Sequence, residues 1–367
     1  MVKSVNIIHL KGLNGIRAIA ALSVIIAHIT GELHNFGLDD SIFGLDSKGV
    51  RVPILMASYG VTMFFALSGF LITYLLLIEK KKKHSINIKK FYIRRILRIW
   101  PLYYFYTIIV FGVYLIFGID YNEEMMPFYI LLAANIPLII QSSLPFIGHL
   151  WSIGVEEQFY LFWPWIFKKS KSKLLRNSMI FFFVFYLIKV LSWFYGFNIM
   201  LTAMTVSRFN IMIMGCIVAL LYYEKNKILN YISSKVVQVF CWVILLFAAL
   251  NKVHLSSSLF DHEFMGLITL CIIIGQIERK NYIIDLDNKI LDFIGKISFG
   301  IYVYHPILIY LSYYLLGKFK ESKPLNYFIV YSLIITLTIL TSHLSYKFLE
   351  KPFIKFKAKY QIAKSKA

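Results

Sequence analysis

His28 stands in an apolar stretch that begins near Asn14 and runs through Leu22 and Ile25. Arg17 lies eleven residues before it, about three helical turns, so both groups face one side of a helix. An imidazole and a guanidinium at membrane depth are costly unless they line an internal polar cavity and do a job there. At 1.5 Å per residue the two are separated by roughly 16 Å, with Arg17 nearer the cytoplasmic face and His28 in the outer half of the span. The chemistry that suits His28 is that of a general base taking a proton from a hydroxyl. The competing reading is a neutral ring that ties two helices together. Arg17 reads either as a helix-linking arginine or as a cofactor contact.

A second basic element lies in FYIRRILRIWPLYY, residues 91–104. Arg95 and Arg98 are three apart and share a helix face where cytosol meets membrane. Guanidiniums there suit charge-assisted, often bidentate contacts to phosphate. An acyl-coenzyme A is a cytosolic donor with several phosphates. Arg94 alone is explained by a generic positive-inside cluster.

The densest polar site is GHLWSIGVEEQFYLFWPW, residues 148–165. Glu156 and Glu157 sit inside an apolar span, where an unpaired carboxylate demands a partner. His28 or an arginine would supply one. Ser152 and Glu156 are four apart and face the same way. Glu156 is a candidate to orient His28 or to hold an acceptor sugar. Glu157 ranks below it. His149 is placed at the outer mouth, where substrate contact and interfacial placement are equally open. Trp151, Trp163 and Trp165 read as packing or interface anchors.

Arg208 opens an apolar segment, and Gly215, two turns on, allows close helix contact. Tyr302 and His305 lie in GIYVYHPILIY, and Pro306 is placed to bend that helix and direct His305 inward. Substrate binding or oxyanion support is open to Arg208, His305, His149, Tyr302, Ser152 and Glu157. For His305 a helix-to-helix hydrogen bond stands equally beside it. In MFFALSGFLIT, residues 63–73, the small Ala66, Ser68 and Gly69 favour tight packing and a passage lined by backbone. No P-loop, dinucleotide fingerprint or zinc pattern occurs, and no metal is expected. Together these groups point to acyl transfer inside a bilayer. Arg95 and Arg98 hold the donor phosphates, the thioester reaches His28, and Glu156 supports the ring. A through-membrane cavity is expected, and an acyl-histidine variant stays open.

The elements that must position these groups follow from composition. The chain has 367 residues and is 59% hydrophobic and 16% charged. A soluble domain has roughly 45–50% apolar residues. The fold expected is all-α, a polytopic membrane protein, with no sizeable soluble domain. The net charge of +20 would suggest nucleic acid in a soluble protein. Here it gathers into runs beside apolar spans. Lys80, Lys81, Lys82, Lys83, Lys89, Lys90, Arg94, Arg95 and Arg98 face only Glu79. After Ser345, Lys347, Lys351, Lys355, Lys357, Lys359, Lys364 and Lys366 face only Glu350. Such runs read as cytoplasmic anchors that also touch anionic lipid. Cys216, Cys241 and Cys271 read as buried small hydrophobes.

Apolar segments occur near 12–30, 56–78, 97–118, 127–141, 149–167, 177–195, 208–223, 236–251, 263–277, 292–314 and 325–346. The short segment 127–141, with Asn135 and Pro137, reads as re-entrant or interfacial. Placing the cluster Lys168, Lys169, Lys171, Lys173 and Arg176 inside requires that 119–148 make no net crossing. The count is then about ten transmembrane helices with cytoplasmic N- and C-termini. Loops 278–291 and 317–324 fit the charge rule poorly. The N-terminus lacks a cleavable signal pattern, and its first apolar run reads as a retained span. Residues 1–352 form the expected membrane domain and 353–367 a basic cytoplasmic tail.

The chain resembles the membrane-bound acyltransferase 3 family. LNGIRAIAALSVIIAH (13–28) is similar to its opening Arg-to-His motif, and FFALSGFLI (64–72) to its second-helix motif. Arg95-x-x-Arg98 with WPLYY, HLWSIGVEEQFYLFWP (149–164), Arg208 to Gly215, ISFGIYVYH ending at His305, and SYKFLEKPF (345–353) complete the order. The resemblance implies ten core helices in a bacterial cytoplasmic (inner) membrane. It implies acyl transfer, most often of acetyl, from cytosolic acetyl-CoA or another acyl-CoA to a hydroxyl of a lipid-linked or exported glycan. Lipopolysaccharide, capsule, exopolysaccharide and a small glycolipid stay open as acceptors. Some members carry an extra hydrolase-type domain, which is not expected here. Transfer is then completed in the membrane module or by a separate partner. Membrane lipids are expected partners, nucleic acid is not, and homo-oligomerisation stays open. The alternatives are a transporter or flippase component of glycan export without acyl transfer, and a structural subunit of such a system. No inverted repeat supports transport.

Overall fold

The computed structural model describes residues 7–8, 10–169, 173–253, 259–360 and 364–365. Lys171 and Lys366, counted in the basic runs, lie outside them. Apart from a two-residue parallel pairing of Ile7–Ile8 with Lys364–Ser365, the regular elements described are helical.

The first three helices carry most of the polar residues singled out above. Helix α1 spans Leu13–Gly31. Helix α2 spans Met56–Lys83 and ends in four lysines, where cations oppose the negative end of the helix dipole. Helix α3, Ile88–Phe117, starts at Asn87, whose side chain accepts from the Lys90 backbone N–H at 2.9 Å. Two one-turn helices follow, α4 (Met126–Ile130) and α5 (Asn135–Ile139). Neither is long enough to cross a bilayer, so 127–141 is not a span of its own.

The irregular backbone around α4 and α5 is held by tyrosines of α3. The hydroxyls of Tyr103, Tyr104 and Tyr106 donate to the carbonyls of Tyr129, Ile130 and Phe146 at 2.7, 2.9 and 2.7 Å. Tyr114 donates to the carbonyl of Pro145. Carbonyls at helix ends and in irregular backbone need such partners wherever water is scarce. Asn135 and Gln158 exchange two amide hydrogen bonds, of 3.2 and 2.7 Å, and lock α5 to the next long helix.

That helix is α6, Trp151–Lys169. It is followed by α7 (Leu174–Phe194), α8 (Asn198–Ser207), α9 (Phe209–Tyr223), α10 (Ile228–Ile232), α11 (Lys235–Ala249) and α12 (Asp261–Glu278). Helix α13 runs Lys289–Leu316 with Pro306 inside it, and α14 runs Pro324–Ser345. A π-helical turn, Tyr346–Glu350, leads into α15, Lys351–Lys357. The start of the basic tail is therefore helical. It packs on α3, where Arg94 donates to the Tyr360 carbonyl at 3.0 Å.

By length and composition, 7 stretches of helix are apolar enough to cross a membrane: α1, α2, α3, α7, α8 with α9, α13, and α14 with its extension. The chain is a multi-pass membrane protein. The other three segments expected to span, α6, α11 and α12, are also helical. Helix α11 has only 15 residues, and α6 and α12 carry more charge. On α7 the large residues Phe183, Leu187, Leu191 and Phe194 are exposed, an apolar face suited to lipid.

Helices α1, α2, α9 and α13 form the packed centre. One close crossing joins α2 to α9. A Cβ on Gly69 would strike the backbone of Met212, and one on Gly215 would strike the backbone of Ala66 and Phe70. Glycine at both positions lets the two helices touch backbone to backbone.

Candidate active site

Two cavities hold most of the residues singled out in the sequence. The first is lined by Arg17 from α1, Ser68 from α2, Arg95 and Arg98 from α3, Ser152, Glu156 and Tyr160 from α6, and Tyr302 from α13. Five helices thus converge on three arginines and one carboxylate. Glu156 accepts from Ser68 Oγ at 2.5 Å and from Tyr160 OH at 3.1 Å. Arg17 donates to Asn14 Oδ1 at 2.9 Å, and Asn14 donates in turn to Asp292 at 2.7 Å. The Arg95 guanidinium lies 5.2 Å from the centre of the Tyr160 ring and 5.6 Å from that of Phe91. Its Nε is buried with no hydrogen-bond partner among the described residues. A buried donor without a partner, on a side chain that lines a cavity with two further guanidiniums, fits an anionic ligand. Arg94 faces elsewhere, in an ion pair with Glu79 at 2.8 Å.

The second cavity is lined by His28, Glu32, Asn35, Phe146, His149, Pro306, Tyr310 and Tyr313, among others. Asn35 donates to Glu32 at 2.5 Å. The rings of Phe146 and Tyr310 lie 4.6 Å apart and form part of the wall. Carboxylate, amide and aromatic faces are groups that hold a polyhydroxylated molecule.

A layer of hydrogen-bonded side chains lies where the two cavities approach each other. Ser152 donates to the Tyr302 hydroxyl at 2.7 Å, and that hydroxyl donates to the His149 carbonyl at 2.6 Å. His149 Nε2–H donates to the Val303 carbonyl at 3.1 Å. His305, fully buried, places its Nε2 2.6 Å from His28 Nδ1 and its Nδ1 2.7 Å from the Tyr302 carbonyl. The two imidazoles are nearly parallel, 13° apart, with centroids separated by 4.8 Å.

Among the described residues this arrangement differs from a single through-membrane chamber. Tyr302 belongs to the arginine cavity and His28 to the other, with bonded side chains between them. Among the described residues no hydrogen bond joins Glu156 to His28; the Glu156 oxygens accept from Ser68 and Tyr160. The imidazole beside His28 is His305.

Three of the residues singled out line neither cavity: His305, which lies in the bonded layer, Arg208 and Glu157. Arg208, in the left-handed conformation between α8 and α9, donates to Thr205 O, Ser58 O, Thr62 Oγ1 and Ser58 Oγ at 2.8–3.1 Å. Its guanidinium lies over Trp151. Glu157 accepts from the Trp100 indole at 3.1 Å, and its Oε1 is buried without a partner among the described residues. No group of three or more His, Cys, Asp or Glu side chains among the described residues is placed to hold a metal ion.

Sequence reasoning missed Tyr160, although its spacing of four from Glu156 on one helix was readable. Asn14, three before Arg17, gave the same kind of signal. Ser68 as the partner of Glu156, and Tyr310, Tyr313 and Asn35 around His28, had no local signal beyond their chemistry.

A family model described as an acyltransferase domain matches residues 10–345. "Putative O-acetyltransferase SACOL0978" of Staphylococcus aureus (strain COL) is 29% identical over 377 residues, covering 95% of this chain and 58% of the relative. "O-acetyltransferase OatA" of Staphylococcus aureus (strain MRSA252) is 28% identical over 405 residues, covering 98% of this chain and 60% of that protein. The chain thus spans about three-fifths of the length of the curated relatives it matches. No solved structure matches it at a significant level.

Proposed function

The chain belongs to the acyltransferase family whose model spans residues 10–345, and on that premise we propose that it is an O-acyltransferase, most simply an O-acetyltransferase, of a bacterial cytoplasmic membrane. It crosses the bilayer about ten times with both termini in the cytosol. The donor is a cytosolic acyl-coenzyme A. The acceptor is a hydroxyl of a lipid-linked or exported glycan.

The observation that carries this reading is the meeting of two unlike cavities at one bonded layer. Three guanidiniums, one with an orphaned donor, suit the phosphates of the donor. Carboxylate, amide and aromatic side chains around His28 suit a sugar. Arg17, Arg95 and Arg98 hold the donor, with Glu156 offsetting part of their charge. Parting of Tyr302 from Ser152 lets the thioester reach His28.

His28 takes the proton of the acceptor hydroxyl, whose oxygen attacks the thioester carbonyl. The tetrahedral adduct collapses by breaking the carbon–sulfur bond. The departing thiolate takes the proton back from His28, which returns neutral, and the products are an ester and coenzyme A thiol. Arg208 is assigned to linking helices, since its guanidinium is already engaged by carbonyls and hydroxyls.

The test is purified protein in nanodiscs given radiolabelled acetyl-CoA with and without a glycan acceptor. Label appearing in the acceptor supports the proposal. Acceptor flux across the membrane with no ester formed would favour the transporter reading and overturn this one. Mass spectrometry of surface glycans from cells with and without the gene identifies acyl group and acceptor together.

A further inference from the structure

A proline next to a buried histidine sets the state of the imidazole at position 28. In a helix the backbone N–H of residue i donates to the carbonyl of residue i−4. Residue 306 is proline and has no N–H, so the carbonyl of Tyr302 loses its helical partner. A buried carbonyl needs a donor. His305 supplies it by turning its own ring back along the helix, with Nδ1 2.7 Å from the Tyr302 carbonyl.

That contact fixes protons on both rings. A carbonyl oxygen only accepts, so His305 Nδ1 carries hydrogen. In the neutral ring, Nε2 is then a bare acceptor. His28 Nδ1 lies 2.6 Å from this Nε2 and must be the donor. His28 is thereby held with hydrogen on Nδ1 and a lone pair on Nε2, the nitrogen left free of this bond, on a ring that lines the cavity with Glu32 and Asn35.

We propose that His305 is the positioning residue of this site. It selects the His28 tautomer in which Nε2 is the base, and Pro306 is the device that releases the carbonyl to hold His305. The chain Tyr302 carbonyl, His305, His28 plays the part that a carboxylate plays for many basic histidines, with no charge buried to do so. The role in turnover rests on the acyl-transfer reading above. The tautomer itself does not.

The test is nitrogen-15 NMR of histidine-labelled protein in nanodiscs, with His28 signals assigned by their loss in His28→Gln. The expected wild-type result is a protonated Nδ1 and a bare Nε2 on His28. His305→Leu, which keeps bulk and removes the acceptor, shifts His28 toward the opposite tautomer. It lowers kcat at least about tenfold, since general base catalysis contributes about 10²–10⁴, and leaves KM for the acyl donor unchanged. His305→Gln keeps an acceptor oxygen and retains both the tautomer and most of kcat. Pro306→Ala restores a competing N–H and gives an intermediate tautomer mixture, a variant that does not depend on tolerance of position 305. A bare Nδ1 on wild-type His28, or an unchanged tautomer in folded His305→Leu, overturns the proposal. The expected tautomers with full turnover in His305→Leu would instead overturn His28 as the base.

Discussion

Ser68 Oγ donates to Glu156 Oε1 at 2.5 Å, joining α2 to α6 at the wall of the arginine cavity. The bond explains how a carboxylate is kept at membrane depth beside guanidiniums without closing onto one of them. Ser68→Ala removes one of its two donors. The expected cost is about 1–3 kcal/mol for a carboxylate oxygen left short of a partner, read as a lower melting temperature in detergent. Glu156→Ala should cost more turnover than Ser68→Ala. Equal turnover in both variants would show that the carboxylate is scaffolding only.

His28→Ala is expected to lower acyl transfer by about 10²–10⁴-fold. The ring lines a cavity and is only half-buried, but its loss leaves the buried His305 Nε2 without its donor, so a loss of about 1–3 kcal/mol is expected in the thermal transition. Turnover measured in parallel with melting separates loss of the base from loss of the fold. A folded variant that still acylates at the wild-type rate removes His28 from the mechanism.

Arg95 and Arg98 are expected to read the phosphates of the donor, and the donor can be cut to test it. Arg95→Ala should raise KM for acetyl-CoA by about tenfold or more, since a hydrogen bond to a charged group is worth about 1.5–3 kcal/mol. S-acetylpantetheine lacks the phosphates and should be a poor donor with the same KM in both proteins. An equal penalty on both donors would place Arg95 in cavity structure and not in phosphate binding.

Much of this candidate site is legible in the sequence, and the reason is energetic. Charged and titratable side chains in apolar helices are so costly that each one marks a cavity or a pair. That logic singled out Arg17, Arg95, Arg98 and Glu156, which the fold brings to one place, and His28 with His149, which it brings to another. Helical segments were legible because apolar runs of that length favour few other structures. Partner choice was not. Glu156 and His28 are both polar groups needing a partner, and nothing local says that Ser68 and Tyr160 take one and His305 the other. The split into two cavities was hidden for the same reason, since it depends on where the Tyr302 hydroxyl goes. The His305–Pro306 device was readable in principle, because a proline always frees the carbonyl four residues back.

The crossing of α2 and α9 should be intolerant of added bulk. A Cβ at Gly69 or Gly215 meets backbone atoms of the other helix, which cannot turn aside as a side chain can. Gly215→Ala is expected to destabilise by about 1–3 kcal/mol. Gly112 of α3 has open space around it, so Gly112→Ala serves as the control and should leave the melting temperature within about 0.5 kcal/mol-equivalent of wild type. Similar behaviour of the two variants would mean that the helices re-space freely and that the close approach does not set the bundle.

Tyr302 offers the sharpest test of how the two cavities communicate. Its hydroxyl accepts from Ser152 and donates to the His149 carbonyl, so it links α6, the turn before α6, and α13 across the layer. Tyr302→Phe keeps the ring and deletes both bonds. If the hydroxyl keeps the donor away from His28 until an acceptor is bound, its loss should uncouple the two events. Acetyl-CoA hydrolysis without acceptor should then rise several-fold relative to productive transfer, because water in the His28 cavity becomes the competing hydroxyl. Tyr302→Ala should uncouple further, by removing the ring as well. If acceptor-independent hydrolysis stays at the wild-type level in both variants, the layer is not the barrier between donor and base, and another route must bring the thioester to His28.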